Sequence, residues 1–130
     1  MAETDLFEPI RSYLESHGYK VDAEVRNCDV VATKDEDLII IELKTSINMK
    51  LLIQATQRQA ISNSVYVAIP EPKNKRRFKD TKYLLKRLEL GLLIISEGIS
   101  GLHVTKVLDP LQLKKQKNKE HTNEHYSKFS

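Results

Sequence analysis

The sequence has little of what supports covalent cross-links, redox sites or membrane insertion. Cys28 is the only cysteine, and a single cysteine excludes an intrachain disulfide, a CxxC redox motif and a cysteine-based zinc site. Tryptophan is absent. A reducing cytoplasm is therefore the expected compartment. No apolar run approaches the roughly 18 residues that span a bilayer, and residues 1–10 are acidic, unlike a signal peptide.

Positive and negative charges are segregated along the chain, although the net charge is only +3. Residues 1–49 carry five basic and eleven acidic side chains, whereas residues 73–87 carry eight basic side chains and a single acid, Asp80. A local positive field of this kind attracts polyanions. The alternative is a lysine-rich helix face that is merely solvated.

The chain is long enough for one domain of ordinary size. Its 130 residues with 40% apolar content suit a single hydrophobic core, which we assign to residues 1–113. Residues 114–130 have no apolar period and are rich in lysine, so we expect a polar tail there. His121 and His125 have the i, i+4 spacing of paired zinc ligands, but no apolar framework surrounds them and an exposed tail is the preferred interpretation.

Apolar spacing and turn residues divide the chain into helices and strands. Helices are expected over residues 5–17, 50–62 and 78–90, the last of them ended by Gly91. Strands are expected in the stretches YKVDAEV, CDVVAT, LIIIELK, VYVAI, LLIIS and GLHVTKV. The order αβββαβ, followed by αββ, predicts a three-layer α/β domain with a mixed central sheet flanked by helices.

The helical periodicity also predicts which side chains face the sheet. The inward side of the second helix is expected to hold Leu51, Leu52, Ala55 and Ile61, and the apolar side of the third helix Tyr83, Leu84 and Leu88. We therefore expect all seven in or beside the core.

The stretch LIIIELK ends an apolar run with two opposite charges. Four apolar residues, Leu38 to Ile41, predict a central strand covered on both faces. Glu42 and Lys44 follow two positions apart, and side chains i and i+2 of a strand share a face, so carboxylate and ammonium are expected to point the same way. The alternative is a surface salt bridge, worth at most about 1 kcal/mol.

Asp29 is expected to join this pair. It begins the strand CDVVAT, and a hairpin with its turn near Asp35 and Glu36 places Asp29 opposite Glu42, within about a residue. Two carboxylates at neighbouring strand positions repel each other unless a positive charge lies between them. A divalent cation meets that requirement, and Mg²⁺ commonly takes one or two carboxylates while keeping several waters. The spacing therefore predicts a Mg²⁺ or Mn²⁺ site.

These residue types suit hydrolysis of a phosphodiester bond. A bound divalent cation polarises the phosphoryl group and lowers the pKa of a bound water, while Lys44 can orient that water and stabilise the transition state. Asp29, Glu42 and Lys44 are therefore the expected catalytic residues of a metal-dependent phosphodiesterase.

The hairpin sequence CDVVATKDEDLIIIELK resembles the active-site hairpin of the PD-(D/E)XK phosphodiesterase superfamily, with Asp29, Glu42 and Lys44 at its two acids and its lysine. A longer region is similar to one member family, domain of unknown function family 2161, through LFEPIRSYLESHGYKV, IELKTSINMKLLIQATQR, VYVAIP and RLELGLLII. The resemblance covers residues 5–115 and implies a restriction-endonuclease-like fold. Cys28 stands where the pattern has proline, a departure that does not touch metal binding.

The resemblance also implies roles for residues near the hairpin. Leu43 is expected to join the two acids as a metal contact, and Gln54 on the following helix to support catalysis. Arg58, one turn further on the same face, is expected to contact phosphate; the alternative for both is an ordinary solvated helix face. Whether Glu8 adds a further carboxylate stays open, because an acid in the first turn of a helix also interacts favourably with the helix dipole.

The expected function is hydrolysis of nucleic acid, DNA rather than RNA, with Mg²⁺ or Mn²⁺ as cofactor and no membrane partner. The residues expected to contact its phosphates are Lys73, Lys75, Arg76, Arg77 and Lys79. A homodimer is left open, because superfamily members that cut both strands often pair. Two alternatives remain: a non-catalytic nucleic-acid-binding or scaffold domain that retains the nuclease fold, and a hydrolase of small phosphodiesters.

Overall fold

Helices and strands follow each other in the predicted order. The computed structural model describes residues 2–24 and 29–110, with the backbone alone at positions 23, 24 and 29. A short 3-10 helix, Glu3–Leu6, leads into the first α-helix. The elements are α1 (Phe7–Ser16), β1 (Lys20–Glu24), β2 (Asp29–Lys34), β3 (Asp37–Leu43), α2 (Met49–Arg58), β4 (Ser64–Pro70), α3 (Lys75–Arg87), β5 (Gly91–Gly98) and β6 (Gly101–Leu108).

Two sequence predictions lie outside the described residues: the paired histidines and the polar tail over residues 114–130. Cys28 also lies outside them. Among the helices of residues 2–24 and 29–110, none has the length and apolar character needed to cross a bilayer.

The six described strands form one mixed sheet whose strand order, β1-β2-β3-β4-β5-β6, repeats the chain order. The first three strands are an antiparallel meander, β3, β4 and β5 are parallel to one another, and β6 is antiparallel to β5. Parallel neighbours require crossover connections, which α2 and α3 supply. The carboxyl ends of β3, β4 and β5 therefore meet at one edge of the sheet, where α/β sheets commonly bind ligands.

Helices cover both faces of this sheet. On one face the packed cluster includes Leu6, Ile10 and Leu14 with Ile41 and Leu43 of β3. On the other face the packed cluster includes Leu51 and Ala55 of α2 and Leu85 of α3 with Ile40 and Val67. Strand β3 is thus covered on both sides, as its apolar run predicts, and the α/β class is confirmed.

Three apolar side chains predicted to face inward are exposed instead. Ile61 is 63% exposed, Tyr83 is 68% exposed and Leu84 is 40% exposed. The prediction for Ile61 is wrong because α2 ends at Arg58, before the helical period reaches Ile61. The predictions for Tyr83 and Leu84 are wrong because the buried residues of α3 are Thr81 and Leu85, which define a narrower packed stripe.

The end of α3 is formed by Glu89 rather than by Gly91. Glu89 has a left-handed φ of 62°, and the N–H of Leu90 donates to the carbonyl of Leu85 at 2.9 Å, which closes the last turn. Gly91 instead begins β5, where a Cβ atom would overlap the ring of Tyr66. Glycine is needed there because the side chains of Tyr66 and Pro110 lie against its backbone, and not for a turn.

Candidate metal and phosphate site

The hairpin of β2 and β3 brings Asp29 and Glu42 into register. Asp35 lies in the turn with a left-handed φ of 54°. From this turn the pairing runs from Lys34 opposite Asp37 to Asp29 opposite Glu42. The predicted register is therefore confirmed at the backbone, where the Cα atoms of directly opposed residues lie about 4.5–5.5 Å apart.

Among the acidic side chains whose burial the structure describes, Glu42 alone is buried, with 1% of its surface exposed. It accepts a hydrogen bond of 3.1 Å from Nε of Arg58, the last residue of α2. The Arg58 side chain is 33% exposed, so this ion pair lies at the margin of the core. Burying a carboxylate is unfavourable unless a cation or hydrogen-bond donors compensate it, and Arg58 supplies such compensation.

The local sequence explains why Arg58 reaches Glu42. The Asn48 side chain caps α2 by accepting the N–H of Leu51 at 2.8 Å. Leu51 and Ala55 are fully buried against the sheet, and Arg58, three residues further on, continues the same stripe. Its guanidinium therefore turns toward the sheet, at the position where the apolar run of β3 gives way to Glu42.

Gln54 is half-buried on α2, one turn before Arg58. The described residues offer its side-chain amide no hydrogen-bond partner. Gln57 is exposed, and Gln59 is engaged elsewhere, since its Nε2 donates to the carbonyl of Leu88 at 2.9 Å. Among these three glutamines, Gln54 is the one that is partly buried and makes no side-chain hydrogen bond with the described residues.

Lys44 has a different ionic partner from Glu42. Strand β3 ends at Leu43, and Nζ of Lys44 lies 3.7 Å from Oε1 of Glu3, in the N-terminal 3-10 helix. That helix packs on the α1 face of the sheet through Leu6, whereas Arg58 belongs to the opposite layer. The strand alternation that predicts a shared face for the carboxylate and the ammonium does not govern Lys44, because this residue follows the last strand position.

The structure places Glu3 beside Lys44, whereas Glu8 has a different partner. The Glu8 side chain is 70% exposed and its Oε1 pairs with Arg11 on the surface of α1 at 3.4 Å. Glu3 lies within reach of Lys44 because the 3-10 helix crosses the end of the sheet and contacts β4. Glu3, five residues before Glu8, is therefore the carboxylate that the structure brings within reach of Lys44.

Leu43 can contribute only its main-chain carbonyl, since its side chain is 1% exposed within the apolar cluster under α1. The described residues contain no group of three or more histidine, cysteine, aspartate or glutamate side chains able to hold a metal. The predicted donor set is smaller: the carboxylates of Asp29 and Glu42 and one carbonyl. Two carboxylates and a carbonyl are ligands that suit Mg²⁺, which keeps several waters.

A cleft of about 800 Å³ opens beside the carboxyl ends of β3 and β4. Thr45 and Ser46, which follow Lys44 directly, form part of its wall. The basic residues that line it are Lys73, Arg76 and Arg77. Two acids, Glu71 and Asp80, also line it, so the cleft is positive on balance.

The predicted phosphate contacts therefore fall into two groups. Lys73, Arg76 and Arg77 line the cleft, whereas Lys75 and Lys79 do not. All five belong to α3 or the loop before it, where Asn74 caps the helix by accepting the N–H of Arg77 at 3.0 Å.

No protein-family model matches the chain, and no curated protein or solved structure gives a significant match. The assignment to the PD-(D/E)XK superfamily thus depends on the hairpin residues and stays a prediction.

Sequence reasoning missed two contacts of the site. The first is Arg58 on Glu42, although the 51, 55, 58 spacing that buries Leu51 and Ala55 was a signal that Arg58 faces the sheet. The second is Glu3 on Lys44, for which no local signal exists, because the contact joins two ends of a long chain segment.

Proposed function

We propose that this protein is a divalent-metal-dependent phosphodiesterase of the PD-(D/E)XK type, with a restriction-endonuclease-like fold, that hydrolyses nucleic acid and DNA in particular. The observation that carries the proposal is Glu42, a carboxylate buried at the end of the central strand with Asp29 as its strand partner. Two carboxylates at opposed strand positions repel each other unless positive charge compensates them, and Mg²⁺ commonly takes one or two carboxylates.

The metal-binding residues in this proposal are Asp29, Glu42 and the carbonyl of Leu43, and the cation is Mg²⁺ or Mn²⁺. When bound, such a cation neutralises developing charge on the phosphate and lowers the pKa of a bound water. The buried position of Glu42 fixes one ligand rigidly, because its neighbours on β3 are packed on both faces.

Lys44 orients the attacking water and stabilises the negative charge of the transition state. Glu3 is a positioning residue for it: an ion pair at 3.7 Å holds the ammonium at the end of the sheet. Gln54 supports the site from α2 with an amide that can bind water or phosphate.

Nucleic acid would enter through the cleft next to Lys44, with Lys73, Arg76 and Arg77 along its wall. Contacts of this kind bind the phosphate backbone without reading sequence, and their strength falls steeply with salt. Lys75 and Lys79 would add to the positive field outside the cleft. A cytoplasmic location and pairing of two copies on duplex DNA belong to the same proposal.

One observation favours a second candidate, a non-catalytic nucleic-acid-binding or scaffold domain of the same fold. Arg58 already compensates the buried charge of Glu42 at 3.1 Å, so the folded chain does not require a metal to neutralise that charge. This candidate predicts that nucleic acid binds equally well to the wild type and to Glu42→Ala, with no cleavage and no metal binding.

Calorimetric titration of Mn²⁺, with and without a short DNA oligonucleotide, separates the two candidates. The wild type should bind Mn²⁺ and cut plasmid DNA, and Glu42→Ala should do neither. Glu8→Ala is the matched control, because it removes an exposed carboxylate from α1. If the wild type binds no Mn²⁺ even with the oligonucleotide, the phosphodiesterase proposal is wrong and the non-catalytic candidate stands.

A further inference from the structure

The two side chains of the ion pair between Arg58 and Glu42 differ in their exposure to solvent. Glu42 is 1% exposed, whereas Arg58 is 33% exposed at the last position of α2. The carboxylate is fixed in a packed strand, and the guanidinium stands on a long side chain with one side open to solvent. Of the two partners, Arg58 is the one able to leave without disturbing the core.

Arg58 and a divalent cation would interact with the same carboxylate. The guanidinium donates to Oε1 of Glu42 at 3.1 Å, and a cation bound to that carboxylate would lie within a few ångströms of a like charge. Like charges at this range repel strongly where burial limits screening. Full occupancy by both is therefore disfavoured.

A guanidinium displaced from Glu42 can bind another anion. Arginine forms planar, bidentate hydrogen bonds to phosphate oxygens, which makes phosphate a better partner than solvent. The substrate proposed for this site carries such phosphates next to the position of the metal.

We propose that Arg58 is a tethered counter-ion of Glu42, that a divalent cation displaces it, and that a nucleic-acid phosphate then binds the released guanidinium. Metal and nucleic acid would consequently bind cooperatively, each raising the affinity of the other by the same factor. The inference rests on the proposed function and adds to it a coupling residue.

The first experiment compares Arg58→Gln with the wild type by calorimetric titration of Mn²⁺. Removing the competing charge should raise the affinity for Mn²⁺ about tenfold, although the melting temperature measured in chelator should fall by about 10 °C. Arg11→Gln is the matched control, since it removes an arginine that pairs with glutamates on the surface of α1. It should change neither quantity.

The second arm repeats the titration with a ten-nucleotide single-stranded DNA present. In the wild type the oligonucleotide should raise the affinity for Mn²⁺. In Arg58→Gln the ratio of the affinity with the oligonucleotide to the affinity without it should fall toward one. A purely structural role of Arg58 would alter the melting temperature and leave this ratio unchanged, which would overturn the inference.

A third measurement uses the wild type alone and does not depend on a variant that folds. The Nε–H resonance of Arg58, assigned with Arg58→Lys, should move when Mg²⁺ is added to the ¹⁵N-labelled protein, whereas that of Arg11 should not. A resonance that stays in place while Mg²⁺ binds would overturn the inference.

The failures of the two proposals are distinguishable. If the wild type binds Mn²⁺ and Arg58→Gln binds it no more tightly, the coupling role is wrong and the proposed function survives. If neither protein binds Mn²⁺ with the oligonucleotide present, the metal site itself is wrong and both proposals fall.

Discussion

The ammonium of Lys44 and the carboxylate of Glu3 form an ion pair of 3.7 Å across the end of the sheet. The two side chains are 24% and 32% exposed, so the pair is partly screened and contributes little to folding. The ion pair instead restricts the position of Lys44, a long and flexible side chain, beside the carboxyl end of β3.

Glu3→Gln should therefore reduce catalysis far more than stability. With its partner gone, Lys44 samples more rotamers, and we expect the rate of DNA cleavage in Mn²⁺ to fall about tenfold, while the free energy of unfolding changes by less than about 1 kcal/mol. Single-turnover cleavage and urea denaturation measure the two quantities. Glu8→Gln is the control, and an equal rate for both variants would show that Glu3 does not position Lys44.

Replacing Arg58 and replacing Glu42 should lower the free energy of unfolding by different amounts. Arg58→Gln leaves the carboxylate of Glu42 inside the core with a weaker partner, and should lower the free energy of unfolding in chelator by about 3 kcal/mol. Glu42→Gln leaves a guanidinium that can turn to solvent, and should lower it by about 1 kcal/mol. Urea denaturation of both variants tests this order, and a larger effect of Glu42→Gln would contradict it.

The cleft predicts which basic side chains matter for nucleic-acid binding. Replacing Lys73, Arg76 and Arg77 by alanine removes three cations from its wall, and should reduce the slope of log affinity against log salt by about 2 for single-stranded DNA. The matched triple replacement of Lys82, Lys86 and Arg87, on the same helix but away from the cleft, should change the slope by much less. Equal slopes for the two triple variants would exclude the cleft as the binding path.

Tyr66 predicts a loss of stability at high pH. Burial raises the pKa of its phenol well above the ordinary value of 10.0, so the folded state keeps a proton that the unfolded state releases. Stability is then fully present below pH 10 and declines above it, by up to about 1.4 kcal/mol per pH unit. Tyr66→Phe should reduce this decline, although Tyr13 and Tyr19, whose pKa values burial also raises, leave part of it.

Urea denaturation between pH 9 and 11.5 measures the effect of Tyr66. Tyr83→Phe is the control, since Tyr83 is 68% exposed. Identical pH profiles of the two variants would show that the phenol of Tyr66 does not contribute.

Much of the architecture could be predicted from local patterns. The register of Asp29 with Glu42 follows from strand alternation and a short turn at Asp35, because both act within a few residues. The burial of β3 follows from its unbroken apolar run in the same way.

The predictions that failed concern features that local sequence patterns do not determine. Ile61, Tyr83 and Leu84 are exposed because periodicity does not reveal where a helix stops or how wide its packed stripe is. The partners of Glu42 and Lys44 depend on how whole helices and strands pack. Such contacts cannot be predicted from a short stretch of sequence.

The strand order of the sheet bears on how the chain folds during synthesis. Since the six described strands lie side by side in the order of their translation, no strand has to insert between two that are already paired. The sheet can grow from β1 outward as the chain leaves the ribosome, with each new strand added to the free edge. Glu3, Asp29, Glu42, Lys44 and Arg58 are all translated before β4 begins, so the ribosome delivers the residues of the candidate metal site before the basic helix that would hold the substrate.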